Sequence, residues 1–89
     1  MIIDHKKESR ILKAMAHPVR LRMVEGLMRH ECNVDKIVRA LKIPQSTASQ
    51  HLSVLKSSGI VEMRKEGVKT CYRVLDRKIM AIIDILGKG

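Results

Sequence analysis

Pro44-Gln-Ser-Thr-Ala-Ser-Gln-His-Leu-Ser-Val-Leu-Lys-Ser57 is the stretch on which the reading of this chain turns. Ala48, Leu52 and Leu55 recur at i, i+4 and i+7, the spacing of one helical face, and should turn toward a core. The opposite face carries Gln45, Ser46, Ser49, Gln50 and Ser53. No acid occurs from Lys36 through Ile60. A merely solvated helix face usually mixes Glu with Lys. This one is built from hydroxyls and amides. Hydroxyls bond phosphates, amides can pair with a base edge, and the lack of carboxylates avoids repelling the DNA backbone. The spacing predicts a helix from Pro44 or Gln45 to about Ser57 that reads a major groove. Thr47, His51 and Lys56 join the face residues as candidate DNA contacts.

Upstream, residues Asp4 to Ala16 read as a helix with Ile11, Leu12 and Met15 on one stripe. Pro18 suits the first position of a second helix, where its missing N–H costs nothing. His17, just before it, is a candidate cap. Val19, Met23, Val24, Leu27 and Met28 form that helix's apolar face, ending near His30, with Arg20, Arg22 and Arg29 pointing elsewhere. Asn33 is a good N-cap for a short third helix carrying Ile37, Val38 and Leu41 inward. Ile43-Pro44 breaks it, because the residue before proline disfavours the helical region.

Downstream, Gly59 can supply a left-handed helix end. The period then changes to two. Val61 and Met63 alternate with Glu62 and Arg64, Glu66-Gly67 marks a turn, and Thr70, Tyr72 and Val74 alternate with Cys71 and Arg73. This predicts a β-hairpin with Tyr72 and Val74 facing the core. Residues Arg77 to Leu86 then form a last helix with Ile79, Ile82, Ile83 and Leu86 on one side. The expected fold class is mainly α with a small β-hairpin, in the order helix, helix, helix, helix, hairpin, helix. Two short helices joined by a tight turn and followed by a basic hairpin form a winged helix-turn-helix pattern.

Charge supports a polyanionic partner. Eighteen Lys and Arg stand against nine Asp and Glu, a net +9. From Lys36 to Arg73 the basic residues are Lys36, Arg39, Lys42, Lys56, Arg64, Lys65, Lys69 and Arg73. The only acids there are Glu62 and Glu66. Arg64, Lys65 and Lys69 surround the hairpin turn, where cations can reach phosphates or a minor groove. Basic residues also guard exposed strand edges, so this signal gains weight only beside the fourth helix.

Three stretches together resemble the arsenical-repressor (ArsR/SmtB) family. They are Lys13-Ala-Met-Ala-His-Pro-Val-Arg-Leu-Arg22, Pro44-Gln-Ser-Thr-Ala-Ser-Gln-His-Leu52 and Gly59-Ile-Val-Glu-Met-Arg-Lys-Glu-Gly67. The resemblance covers nearly the whole chain. It implies a homodimeric repressor whose first and last helices form the interface, with two recognition helices in successive major grooves of an inverted repeat. That family often senses metals through a third-helix motif, Glu-Leu-Cys-Val-Cys-Asp-Leu. Here the matching positions read Glu31-Cys-Asn-Val-Asp-Lys-Ile37, with Asn33 and Asp35 at the thiolate positions. The family's other site uses an Asp and His pair on the last helix. Here Asp76 is followed by Arg77 and Lys78, and no His lies beyond His51. No metal site and no cofactor are expected.

Two readings stand for Cys32 and Cys71. In one, Cys32 is a small buried residue and Cys71 an incidental strand residue. In the other they are possible redox residues, as in some members of the family, whose favoured cysteines lie in the helices flanking the DNA-binding core. An extended Cys32 would share a face with Val34, which should point into the core. Cys71 alternates with Tyr72 and Val74 and should point away. That parity predicts no intramolecular disulfide, and a switch, if present, acting through Cys71 alone.

Residues 1–89 are read as one domain with dimerisation helices at both ends. No His, Cys or Ser pairing suggests a nucleophile and base, and no glycine-rich phosphate loop is present, so no enzyme is expected. No apolar run spans a bilayer and the start is unlike a signal peptide, so a cytoplasmic location without membrane partners is expected. The rival functions are a winged-helix protein–protein module that has lost DNA binding, and a cationic membrane-adhering protein. The first wants an apolar patch on the third or fourth helix, and the second wants bulky aromatics on a basic helix. The polar face from Gln45 to Ser53 and the single aromatic, Tyr72, favour neither.

Overall fold

A computed structural model describes residues 1–88. The order is α1 (His5–Met15), α2 (Pro18–Arg29), α3 (Val34–Leu41), α4 (Gln45–Ser57), β1 (Val61–Glu66), β2 (Lys69–Val74) and α5 (Arg77–Lys88). This is the winged helix-turn-helix order expected, with α3 and α4 as the helix pair and β1–β2 as the wing.

Local chemistry sets most boundaries. Asp4 caps α1, its carboxylate accepting from Lys7 N–H at 3.0 Å. His17 caps α2, its Nδ1 accepting from Val19 N–H at 3.1 Å, and Pro18 occupies the first turn. Asn33 stands at the start of α3 but makes no side-chain cap. Lys42 ends α3 in the left-handed region, at φ 55°. The end of α4 is a Schellman motif. Gly59, at φ 76°, donates to Lys56 C=O at 3.1 Å, and Ile60 N–H donates to Leu55 C=O at 3.0 Å. Leu55 and Ile60 are both fully buried, the apolar contact that accompanies such an end. Leu75 N–H then donates to Ile60 C=O at 2.8 Å and closes the base of the wing.

The core centres on Met23, Val24 and Leu27 of α2, Ala48, Leu52 and Leu55 of α4, Ile60 and Val61, with Ile79 from α5. From α1 it takes Ile11, Ala14 and Met15. Leu12, expected on that stripe, is 53% exposed. From α3, Val34 and Val38 are buried, while Ile37 and Leu41 only flank the core. On α5, Ile79 is buried and Ile82 and Ile83 are partly covered, but Leu86 is 61% exposed.

In the wing the register pairs Val61 with Val74, Met63 with Tyr72, Arg64 with Cys71, and Glu66 with Lys69. The reversal therefore falls on Gly67 and Val68, one residue later than expected, with Gly67 at φ 64°. A two-residue hairpin turn needs such positive φ.

Candidate nucleic-acid interface

Helix α4 buries Ala48, Leu52 and Leu55 and leaves Gln45, Ser46, Ser49, Gln50, Ser53 and Lys56 exposed. Thr47 and His51 sit at the boundary, partly buried. The structure thus keeps the polar candidates on one outward face and splits off these two.

His51 has a specific neighbourhood. The Arg20 guanidinium lies 3.2 Å from its Nδ1, and the His17 ring centroid is 4.5 Å away at a 50° tilt. Guanidinium can only donate, so Nδ1 accepts and the proton sits on Nε2. Burial, then the neighbouring His17 and Arg20, hold the His51 imidazole below its ordinary pKa. Arg20 also donates through Nε to the Ala14 carbonyl at the end of α1. This one side chain therefore joins α1, α2 and α4. Periodicity sets Arg20 off the apolar face of α2, and a helical wheel shows which way a residue points but not which distant helix comes to meet it.

The wing carries the remaining cations. Lys65 and Lys69 are exposed beside the turn. Arg64 lies 3.8 Å from Glu66 in an exposed pair, weak enough to exchange for a phosphate. Arg73, counted with the basic excess, faces Glu62 across the strands at 2.6 Å, so its charge is already matched.

The cysteines correct the expectation outright. Cys32 and Cys71 form a disulfide, with Cα atoms 4.1 Å apart. Half of the parity argument survives: Cys71 does share the wing face of Arg64 and Arg73, opposite Tyr72 and Val74. The other half fails because Cys32 is not extended. Its φ of 66° places it in the left-handed region, so side-chain alternation with Val34 does not apply. Its N–H donates to Tyr72 C=O at 3.3 Å, laying the α2–α3 connection beside β2. Cys71 is consequently 4% exposed rather than outward, and a switch acting through Cys71 alone is ruled out for this state.

At the positions of the family's metal ligands, other work is under way. Asp76 caps α5, its Oδ1 accepting from Lys78 N–H at 2.9 Å and Ile79 N–H at 3.1 Å. Asp35 is exposed in the first turn of α3. Among the described residues, no three His, Cys, Asp or Glu side chains gather as a metal site would require. None of the described helices is long and apolar enough to cross a membrane.

Comparison with known proteins bears on this arrangement. Residues 17–63 match the family model described as bacterial regulatory protein, arsR family. The transcriptional repressor PagR of Bacillus anthracis is 36% identical over 94 residues, covering 97% of this chain and 94% of its own. The solved structure of HlyU from Vibrio cholerae superposes with a TM-score of 0.87 at 33% identity, covering 99% of this chain and 96% of that one. A homodimeric winged helix-turn-helix DNA-binding domain from Mycobacterium bovis gives 0.78 at 30% identity, covering 98% and 85%. These relatives are regulators of transcription, not enzymes. The chain belongs to the arsR family of bacterial regulatory proteins.

Proposed function

We propose that the chain is a sequence-specific repressor that binds an inverted-repeat operator as a homodimer. The observation that carries this is the exposed face of α4, where Gln45, Ser46, Ser49, Gln50 and Ser53 stand without a carboxylate beside a basic wing. Lys56, Arg64, Lys65 and Lys69 supply affinity through phosphates, and the two glutamines supply sequence choice. The same polar face disfavours a protein–protein module, which would present apolar side chains there.

The apolar residues at the chain's two ends support the dimer. Ile3, Leu12, Ile85 and Leu86 are 48%, 53%, 66% and 61% exposed on helices or segments that the core does not cover. The Mycobacterium bovis relative is described as homodimeric, and PagR as a repressor. Residues 1–89 act in this reading as one DNA-binding unit in the cytoplasm, without metal or other cofactor. Selection of bound duplexes from a random DNA pool tests it. An enriched inverted repeat, bound by two chains, is the expected result. Retention of no sequence over any other would sink the reading.

A further inference from the structure

His51 stands at the edge of the outward face of α4, with Nδ1 of its ring engaged by the fold and Nε2 left open. We propose that Arg20 is a positioning residue for DNA binding. It holds the neutral His51 ring with its proton on Nε2 and aims that N–H, beside the Thr47 hydroxyl, at a backbone phosphate of the operator. The inference rests on the DNA-binding reading above and gives a part in it to a side chain of α2.

Two neighbours hold the ring. The Arg20 guanidinium, 3.2 Å from Nδ1, has only donors to offer, so Nδ1 must accept. A neutral imidazole then carries its single proton on Nε2. Arg20 is itself fixed, because its Nε donates to the Ala14 carbonyl. The His17 ring, its centroid 4.5 Å away, limits rotation of His51. His17 is anchored in turn, its Nδ1 accepting from Val19 N–H at 3.1 Å. A half-turn of the His51 ring would bring a carbon to the guanidinium in place of Nδ1 and lose the bond. The charged groups that act on His51 are His17 and Arg20, both basic, so no carboxylate competes for the Nε2–H.

Among the described residues, Arg73 Nε is the only side-chain nitrogen or oxygen buried without a partner. His51 Nε2, which no protein acceptor meets, is therefore open to solvent. Thr47 lies one turn earlier, at i and i+4 with His51, on the same edge of α4. A hydroxyl and an imidazole N–H set one above the other offer two donors to one oxyanion. Their place selects which oxyanion. Ser46, Ser49, Gln50 and Ser53 occupy the middle of the exposed face, while Thr47 and His51 flank it on the side held by Arg20. A helix in a major groove meets base edges along its middle and the sugar–phosphate strands along its flanks. The acceptor opposite Thr47 and His51 is accordingly a phosphate, to which such bonds are charge-assisted and strong. Without Arg20 the ring would exchange between tautomers and orientations, and DNA would have to select one of them on binding. That ordering cost weakens the complex.

The test replaces each phosphate of a duplex from the random-pool selection, one at a time, by a neutral methylphosphonate. Affinities are measured by fluorescence anisotropy for the parent and its variants. His51→Leu should bind about tenfold more weakly and stop responding to the methylphosphonate at one phosphate of each half-site. Arg20→Met should lose most of the response at that same phosphate and keep the others. His51→Gln, whose amide can give its oxygen to Arg20 and an N–H to the phosphate, should retain it. Added to His51→Leu, Arg20→Met should cost little further affinity. NMR of the imidazole nitrogens at pH 7.5 reads the tautomer in the free parent, where a proton on Nε2 and a bare Nδ1 are expected. A parent ring protonated on Nδ1 would overturn the proposal, whether or not Arg20→Met folds. So would a loss in Arg20→Met spread evenly over all phosphates, which marks a structural support only. A full further loss in the double variant would show Arg20 acting on DNA by itself and overturn it too. If the parent binds no selected duplex, the repressor reading fails first, and the positioning role falls with it.

Discussion

The Arg20 guanidinium sits 3.2 Å from Nδ1 of His51, so the first turn of α2 grips α4 at mid-length. With its second contact to Ala14 C=O, Arg20 fixes where α4 lies relative to α1. Removing it leaves a carbonyl and an imidazole nitrogen short of a donor. Arg20→Met should destabilise the fold by about 1–3 kcal/mol. Urea unfolding of the variant beside the parent measures this, and an unchanged midpoint would show that the grip contributes nothing.

The same contact makes stability depend on pH with a definite sign. His51 is held below its ordinary value of 6.5, so the folded state favours neutral imidazole. Between that depressed value and 6.5 the unfolded chain binds more protons than the folded one. Stability then rises with pH across this window and is lost as pH falls below 6.5. The groups facing His51, His17 and Arg20, are both basic and give an imidazolium no counter-charge. His51→Gln keeps an acceptor for Arg20 and cannot titrate. Denaturant melts from pH 7.5 down to 5 should therefore fall less steeply for His51→Gln than for the parent.

Wing cations should separate into two groups by their partners. Lys69→Ala removes a free charge and should weaken all sequences alike, lowering the salt slope of binding by about one unit. Arg73→Ala removes a charge already matched by Glu62 at 2.6 Å, so it should leave that slope unchanged and act on wing stability. Gln45→Ala and Gln50→Ala should instead lose discrimination at single base pairs, by about 1–3 kcal/mol where a contact is bidentate. Affinity titrations at stepped salt, on matched and mismatched duplexes, read all three behaviours. Equal weakening of every duplex by the glutamine variants would remove them as base readers.

The dimer has its own probe in Ile85, which is 66% exposed and takes no part in the described core. A change at such a position alters monomer stability by only about ±0.5 kcal/mol. Burial between two copies would make an introduced charge far more costly. Ile85→Lys should therefore shift sedimentation at micromolar concentration toward monomer while thermal unfolding of the monomer stays nearly constant. Sedimentation unchanged from a dimeric parent would place the interface elsewhere.

Much of this molecule was legible because its signals are periodic and local. The i, i+4, i+7 spacing of Ala48, Leu52 and Leu55 gave α4 and its outward face together. Gly59 gave the end of that helix through its left-handed backbone. What stayed hidden depended on long-range contact or on a single dihedral angle. Glu62 and Arg73 are eleven residues apart, and only the strand register makes them partners. Arg20 and His51 are thirty-one apart. The parity of extended chain does not hold at Cys32, whose backbone is left-handed at φ 66°, and nothing in Glu31-Cys-Asn33 announces that angle. Leu12 shares an apolar stripe with Ile11 and Met15 yet is 53% exposed, because a stripe on α1 does not say whether this chain or a second copy covers it.

Asp76 supplies the last prediction, because its carboxylate cannot serve two purposes. It accepts from Lys78 N–H and Ile79 N–H, occupying the position where metal-sensing relatives are expected to place a ligand. The residues that follow it, Arg77 and Lys78, are cations that would repel a metal ion. Near α3 the corresponding places hold Asn33 and Asp35, and the adjacent thiol of Cys32 is consumed in the disulfide. Zinc, cadmium or arsenite should accordingly leave the protein on its operator at concentrations that give stoichiometric binding in metal sensors. Asp76→Ala should cost about 0.5–2 kcal/mol through the lost cap, with no change in response to metal. Calorimetric titration with each ion and anisotropy of the DNA complex decide the matter. One tightly bound ion per chain with release of DNA, abolished by Asp76→Ala, would show that the carboxylate leaves its cap to become a ligand.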